Sequence, residues 1–204
     1  MKADLFAELL ASARRHWTAE PSAESESAIR DRSITTSMPA EFRWARLGCA
    51  EMATRCPVAA DWQRFDGAHS VTLLAGPKGS GKTSLGSALY RAKLEALTGR
   101  GCWIAANDLA ASVRETRLGA MPQAIAIARS CAVLLLDDLG QEAQNEDSRA
   151  AIEGVISERH RTHRPTIVTT GLRADMIAAR YGDGVLRRLS EKGRALVIRF
   201  GDSK

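Results

Sequence analysis

The eight residues GPKGSGKT, Gly76 to Thr83, constrain this chain more than any other stretch. They match the spacing G-x-x-x-x-G-K-[ST], and each residue type has a mechanical reason. Gly76, Gly79 and Gly81 let the backbone approach a phosphate closely. The loop N–H groups then converge into an anion nest. A helix starting near Lys82 adds its positive N-terminal end. Lys82 is spaced to reach terminal phosphates, and Thr83 to offer its hydroxyl to Mg²⁺. Pro77, Lys78, Ser80 and Ser84 complete the candidate nucleotide contacts. The motif follows the apolar run VTLLA (71–75) and precedes a helical pattern with Leu85, Leu89, Ala92 and Ala96 on one side. That strand–loop–helix context separates a phosphate-binding loop from a Gly-rich turn.

Four further apolar runs follow: CWIAA (102–106), CAVLLLD (131–137), TIVTT (166–170) and ALVIRF (195–200). Helical patterns lie between the runs, beginning near Lys82, Asp108, Met121, Asp147 and Ala174. Strands alternating with helices predict a parallel sheet with right-handed crossovers. Runs such as VLLL lack alternation, as expected of strands covered on both faces.

The third run ends VLLLDDLG, Val133 to Gly140. An acid at the end of an apolar strand is where a phosphate-loop fold places its second Mg²⁺ contact. Asp137 fits that role, and Asp138 is the candidate that polarises an attacking water. One strand, CWIAA, stands between the loop and this acidic pair. That arrangement points to the branch containing AAA+ and RecA-like ATPases. The chain has no N-K-x-D base-reading motif of a GTPase. Its Arg-rich segments, SERHRTHR and VLRRL, do not sit where a small-molecule kinase carries its lid.

Composition sets limits around this core. The chain has 204 residues, 45% hydrophobic, with a net charge of +5. That length suits one α/β domain with a small appendage. The basic excess fits either a nucleic-acid-binding face or a solvated surface. Of four cysteines, Cys102 and Cys131 each open an apolar run and are expected in the core. Cys49 and Cys56 would bind zinc only with distant partners such as His16 or His69, a spacing outside the usual zinc patterns. No segment has the roughly 18 apolar residues that span a bilayer, so a cytoplasmic protein is expected. Residues 1–19 read as an amphipathic helix with Leu5, Leu9 and Ala13 on one stripe. Packing on the domain and docking on a partner are both open for it. Residues 20–37, rich in Ser, Glu and Ala and containing Pro21, read as a linker ahead of a core spanning 38–204.

The chain resembles the DnaC/IstB-like family of AAA+ ATPases, bacterial helicase loaders and transposition helper ATPases. MPAEFRWARL, GPKGSGKT, ANDLAASVR, VLLLDDLG, ISERHRTHRPTIVTTGL and GDGVLRRLSEKGRALVIRF carry the resemblance in order, over roughly Met38 to Phe200. It implies an α/β P-loop fold with a five-stranded parallel sheet in the order 5-1-4-3-2, and no full lid domain. It implies ATP and Mg²⁺ as cofactors and places Thr170 near the polar sensor at the end of the fourth strand. Gly171 stands where the family commonly has Asn, so Thr169 or Thr170 is left to substitute, or turnover is slow. Arg188 matches the arginine that enters a neighbouring subunit's site, with Arg187 as the fallback.

Two functions follow from the resemblance. One is a loader or helper ATPase that assembles on DNA and acts on a replicative helicase or a transposase. The other is a low-turnover, ATP-dependent binding switch for a partner protein. The match of Arg188 implies an ATP site complete only between subunits of a homo-oligomer; together with the paired Asp137 and Asp138 it favours the first function, whereas Gly171 leans slightly to the second. Contact with single-stranded DNA would run through Arg114, Arg117, Arg159, Arg161 and Arg164, for which a solvated helix face is the competing reading.

Overall fold

The structure is a computed structural model that describes residues 26–58, 69–97, 99–115 and 120–201. The amphipathic pattern of residues 1–19 lies outside them. Five strands form one sheet: β1 (Val71–Ala75), β2 (Gly101–Ala105), β3 (Val133–Leu139), β4 (Thr166–Thr170) and β5 (Ala195–Arg199). Their spatial order is β2-β3-β4-β1-β5, the expected order read from the other edge, and every neighbouring pair is parallel. Val133 to Leu136 are wholly buried, and all of β4 is buried. This explains why those runs lack alternation. The edge strands β2 and β5 are only half-buried.

Side chains leave the sheet with period two and build a core on each face. Leu73, Leu134, Leu136 and Val168 face one way. They meet α4 (Ala106–Glu115), α5 (Gln123–Ser130), α6 (Glu146–Arg161), α7 (Ala174–Tyr181) and α8 (Asp183–Ser190). Leu74, Leu135 and Ile167 face the other way, against α1 (Glu26–Ser37), α2 (Ala50–Arg55) and α3 (Lys82–Ala96). The pattern expected to start one helix near Ala174 is broken at Gly182, which ends α7 and precedes α8.

One expectation needs correction. The second half of the stretch read as linker, residues 26–37, is helical. At its C-terminal end Ile34 and the following Met38 enter the core. Ser37 shares a 2.6 Å hydrogen bond with Tyr90 of α3. Buried Arg91 donates to the carbonyls of Arg43 and Ala45, fixing the segment between α1 and α2 to α3. Cys102 is half-buried, Cys131 and Cys56 are buried, and Cys49 caps α2 through its sulfur.

Candidate nucleotide site

The loop after β1 is tied down on both sides. Gly76 donates its N–H to Thr170 at 3.1 Å, and Phe200 donates to Ala75 at 2.8 Å. A Cβ at Gly76 would lie 2.6 Å from Cβ of Phe200, so a side chain there would push β5 off the loop. Ser80 closes the turn by donating its hydroxyl to the Pro77 carbonyl at 2.9 Å. The α3 helix then begins at Lys82. Its first N–H groups have no partner within the helix and carry the positive end of its dipole. Lys82 is 6% exposed, and its ammonium donates to Pro77 at 2.7 Å. Burial pulls its pKa down, and the carboxylates of Asp138 and Asp137 oppose that pull.

The acidic pair owes its geometry to a β-bulge. Leu136 pairs with Val168 and Leu139 with Thr170, so β3 carries one residue more than β4 across this interval. Bulges re-aim side chains in this way. Asp137 and Asp138 occupy the extra length. Asp137 turns toward α3, where Oδ1 accepts the Thr83 hydroxyl at 3.2 Å and the Thr169 hydroxyl at 2.6 Å. Burial raises the Asp137 pKa, and the two hydroxyls work against that rise. Asp138 adopts φ +53 and is exposed. The loop, Lys82, Thr83, Asp137 and Asp138 are thus brought to one end of the sheet. A carboxylate and a hydroxyl beside an anion nest form a hard-oxygen donor set of the kind Mg²⁺ takes with phosphates.

The residues around β4 sort differently from the expectation. Thr170 is fully buried, its hydroxyl donating to Leu139 at 2.6 Å and accepting Leu172 N–H at 3.0 Å. The hydroxyl beside Asp137 belongs to Thr169, which also accepts the Asp138 N–H at 2.9 Å. Beside the loop lies a cavity of about 1050 Å³ that includes Gly76, Gly171, Leu172, Ile177, Leu186 and Val197 in its walls. Its apolar walls suit a base and sugar better than phosphates. Sequence reasoning missed this cavity, because its walls come from four separate segments without a shared motif.

The arginines divide into three kinds. Arg188 is half-buried in a groove of about 420 Å³ with Arg129, Gly154, Arg161 and Arg187, and no residue of the loop lines it. Arg129 is the addition here: its Nε is buried without an acceptor, and a Cβ at Gly154 would meet its Nη2 at 2.5 Å. Arg159 is the correction. It is fully buried and donates to Thr166 and to the carbonyls of Ala128, Cys131 and Pro165, so it presents nothing to nucleic acid. Arg164 is half-buried and donates to Ser130. Arg114 and Arg161 are exposed, Arg161 paired with Glu158 at 2.7 Å. Arg117 lies outside the described residues.

The model of the family described as IstB-like ATP binding protein matches residues 60–190. No curated protein matches the chain. Among solved structures, the DnaC helicase loader aligns at TM-score 0.63 and 23% identity, over 78% of this chain and 99% of that one. DnaI aligns at TM-score 0.64 and 18% identity, over 84% and 98%. AMPPCP-bound DnaA from Aquifex aeolicus aligns at TM-score 0.57 and 17% identity, over 76% and 50%. At these identities the structures show a shared AAA+ fold. No described helix is long and apolar enough to cross a membrane.

Proposed function

Because this chain belongs to the IstB-like ATP-binding proteins, we propose that it hydrolyses ATP with Mg²⁺ and that its site is complete only between copies. The observation that carries this reading is the meeting of α3 and β3 at Thr83 and Asp137, beside the buried Lys82. Bound Mg·ATP would supply a γ-phosphoryl group for transfer to water. The loop N–H groups and Lys82 hold the terminal phosphates. Thr83 and Asp137 hold the metal. Asp138, exposed at the strand end, orients the water and takes its proton. Arg188 lines a groove away from its own loop, which supports its service to a neighbouring copy. A guanidinium suits that task, being planar, always charged and able to grip two phosphate oxygens.

The role we assign is that of a helicase-loader-like factor in DNA replication, with a replicative helicase as partner. Similarity to a protein named as a helicase loader supports it. A transposition helper acting on a transposase shares the same family and the same site. A second reading, a low-turnover switch, draws on Gly171, which offers no side chain where the family commonly has Asn. Turnover measured from dilute to concentrated protein, with and without single-stranded DNA, tests the proposal. Turnover per subunit should rise steeply with concentration and be lost in Arg188→Ala, with ATP affinity retained. An arginine supplied by a neighbour is worth on the order of 10³–10⁵ in rate. Mixing Arg188→Ala with Lys82→Ala should restore part of the activity. Turnover that stays flat with concentration would leave Arg188 an ordinary surface residue.

A further inference from the structure

Asp138 does not hold its own position. At φ +53 it sits in the left-handed region, which most L-residues avoid and which Asp enters more readily than others but still uncommonly. Its neighbours hold the turn in this conformation. Within the turn, Gln141 donates to the Asp138 carbonyl at 3.1 Å. Gly140 follows at φ +106, packed so closely on Leu172 that a Cβ would come within 2.7 Å of it. From outside, the turn is gripped by Glu142.

Glu142 is an acid where an acid is expensive. Its side chain is 1% exposed, and a carboxylate so buried is retained only if it is fully partnered. Its two oxygens have separate duties. Oε2 accepts the Gly140 N–H at 3.0 Å, inside the Asp138 turn. Oε1 faces α7, where it accepts Arg180 Nε at 2.9 Å and the Tyr181 hydroxyl. Arg180 also donates to the Glu142 backbone carbonyl, so the residue is held by main chain and side chain alike. The Arg180 guanidinium lies 5.6 Å from the Tyr181 ring centre, which stiffens the pair. One carboxylate therefore ties the turn after β3 to a helix that follows β4.

We propose that Glu142 is a positioning residue for Asp138, bracing the turn that carries it against Arg180 and Tyr181 of α7. The inference rests on the reading of Asp138 as the group that orients the attacking water. Glu142→Gln is the informative substitution. It keeps the shape but places an NH₂ against either the Gly140 N–H or the α7 donors. One side of the brace then faces a donor with a donor.

The test is a double-mutant cycle on the full chain. Glu142→Gln should lower kcat about tenfold or more and leave the affinity for a fluorescent ATP analogue within about twofold. In an Asp138→Asn background the same substitution should cost almost nothing further, because its effect passes through Asp138. Tyr181→Phe, which removes one donor from the same carboxylate, should give a smaller loss in the same direction. Equal fold-losses in both backgrounds, or an unchanged kcat, would overturn the proposal. Hydrogen exchange provides a readout independent of turnover. Glu142→Gln should speed exchange across 138–141 by about tenfold and leave β1 and α3 unchanged. A wild-type chain without turnover would refute the ATPase reading, whereas unchanged exchange in the turn would refute the brace.

Discussion

Thr169 donates its hydroxyl proton to Asp137 at 2.6 Å and, through the same oxygen, accepts the Asp138 N–H at 2.9 Å. One hydroxyl thus touches both members of the acidic pair, orienting the carboxylate of one and the backbone of the other. The neighbouring Thr170 spends its hydroxyl on the main chain at Leu139 and Leu172.

Thr169→Val should therefore separate from Thr170→Val. The first should reduce kcat by about tenfold to a hundredfold and raise the Mg²⁺ concentration needed for half-maximal turnover. The second should mainly lower the urea midpoint, with kcat per folded molecule retained. Steady-state rates over a Mg²⁺ series, beside denaturation curves, distinguish the two.

Lys82→Ala should weaken binding of a fluorescent ATP analogue by about a hundredfold, as loss of a charge-assisted contact does. Fluorescence titration checks this. Equal affinity in the variant and the wild type would remove the phosphate-loop assignment.

Asp138→Asn should spare nucleotide binding and lower turnover by about 10²–10⁴, because it keeps shape and removes the base. Asp137→Asn should in addition blunt the response to Mg²⁺. Single-turnover rates measure the first and a metal titration the second. Full turnover in Asp138→Asn would move the catalytic base elsewhere.

Arg159 and Arg161 should respond in opposite ways. Arg159→Met removes the guanidinium's bonds to Thr166 and to the carbonyls of Ala128, Cys131 and Pro165 in the core, and should cost about 3 kcal/mol of stability. Arg161→Ala should leave the urea midpoint unchanged. If Arg161 meets a DNA phosphate, its loss should reduce the salt slope of binding by about one unit. Urea melts and salt-dependent anisotropy on single-stranded DNA read the two effects.

The parts that were legible in the sequence share a physical basis: each is a local pattern. The phosphate loop is contiguous, the acidic pair ends its own strand, and five apolar runs mark five strands. The parts that were not legible depend on which way a residue faces. Thr169 and Thr170 are adjacent in β4, so opposite sides of the sheet receive them, and only the register against β3 decides which meets Asp137. Arg159 did carry a signal. It falls at helical spacing from Ile152, Val155 and Ile156, all buried, so its phase placed it in the core before its charge suggested a surface. The α1 helix escaped notice because most of its residues are polar or charged, and its described apolar anchor, Ile34, comes near the end.

The pairing of β1 has a consequence for how the protein is made. Its two neighbours, β4 and β5, are the last two described strands, and Ser70 just ahead of it hydrogen-bonds to Arg194, 124 positions later. A ribosome delivers VTLLA long before either neighbour exists. Through that interval the strand that leads into the phosphate loop has both edges open, ready to pair with any other chain. The loop acquires its walls only when β5 docks and Phe200 closes on Gly76. A nucleotide site of this form therefore exists only once the last described strand is in place.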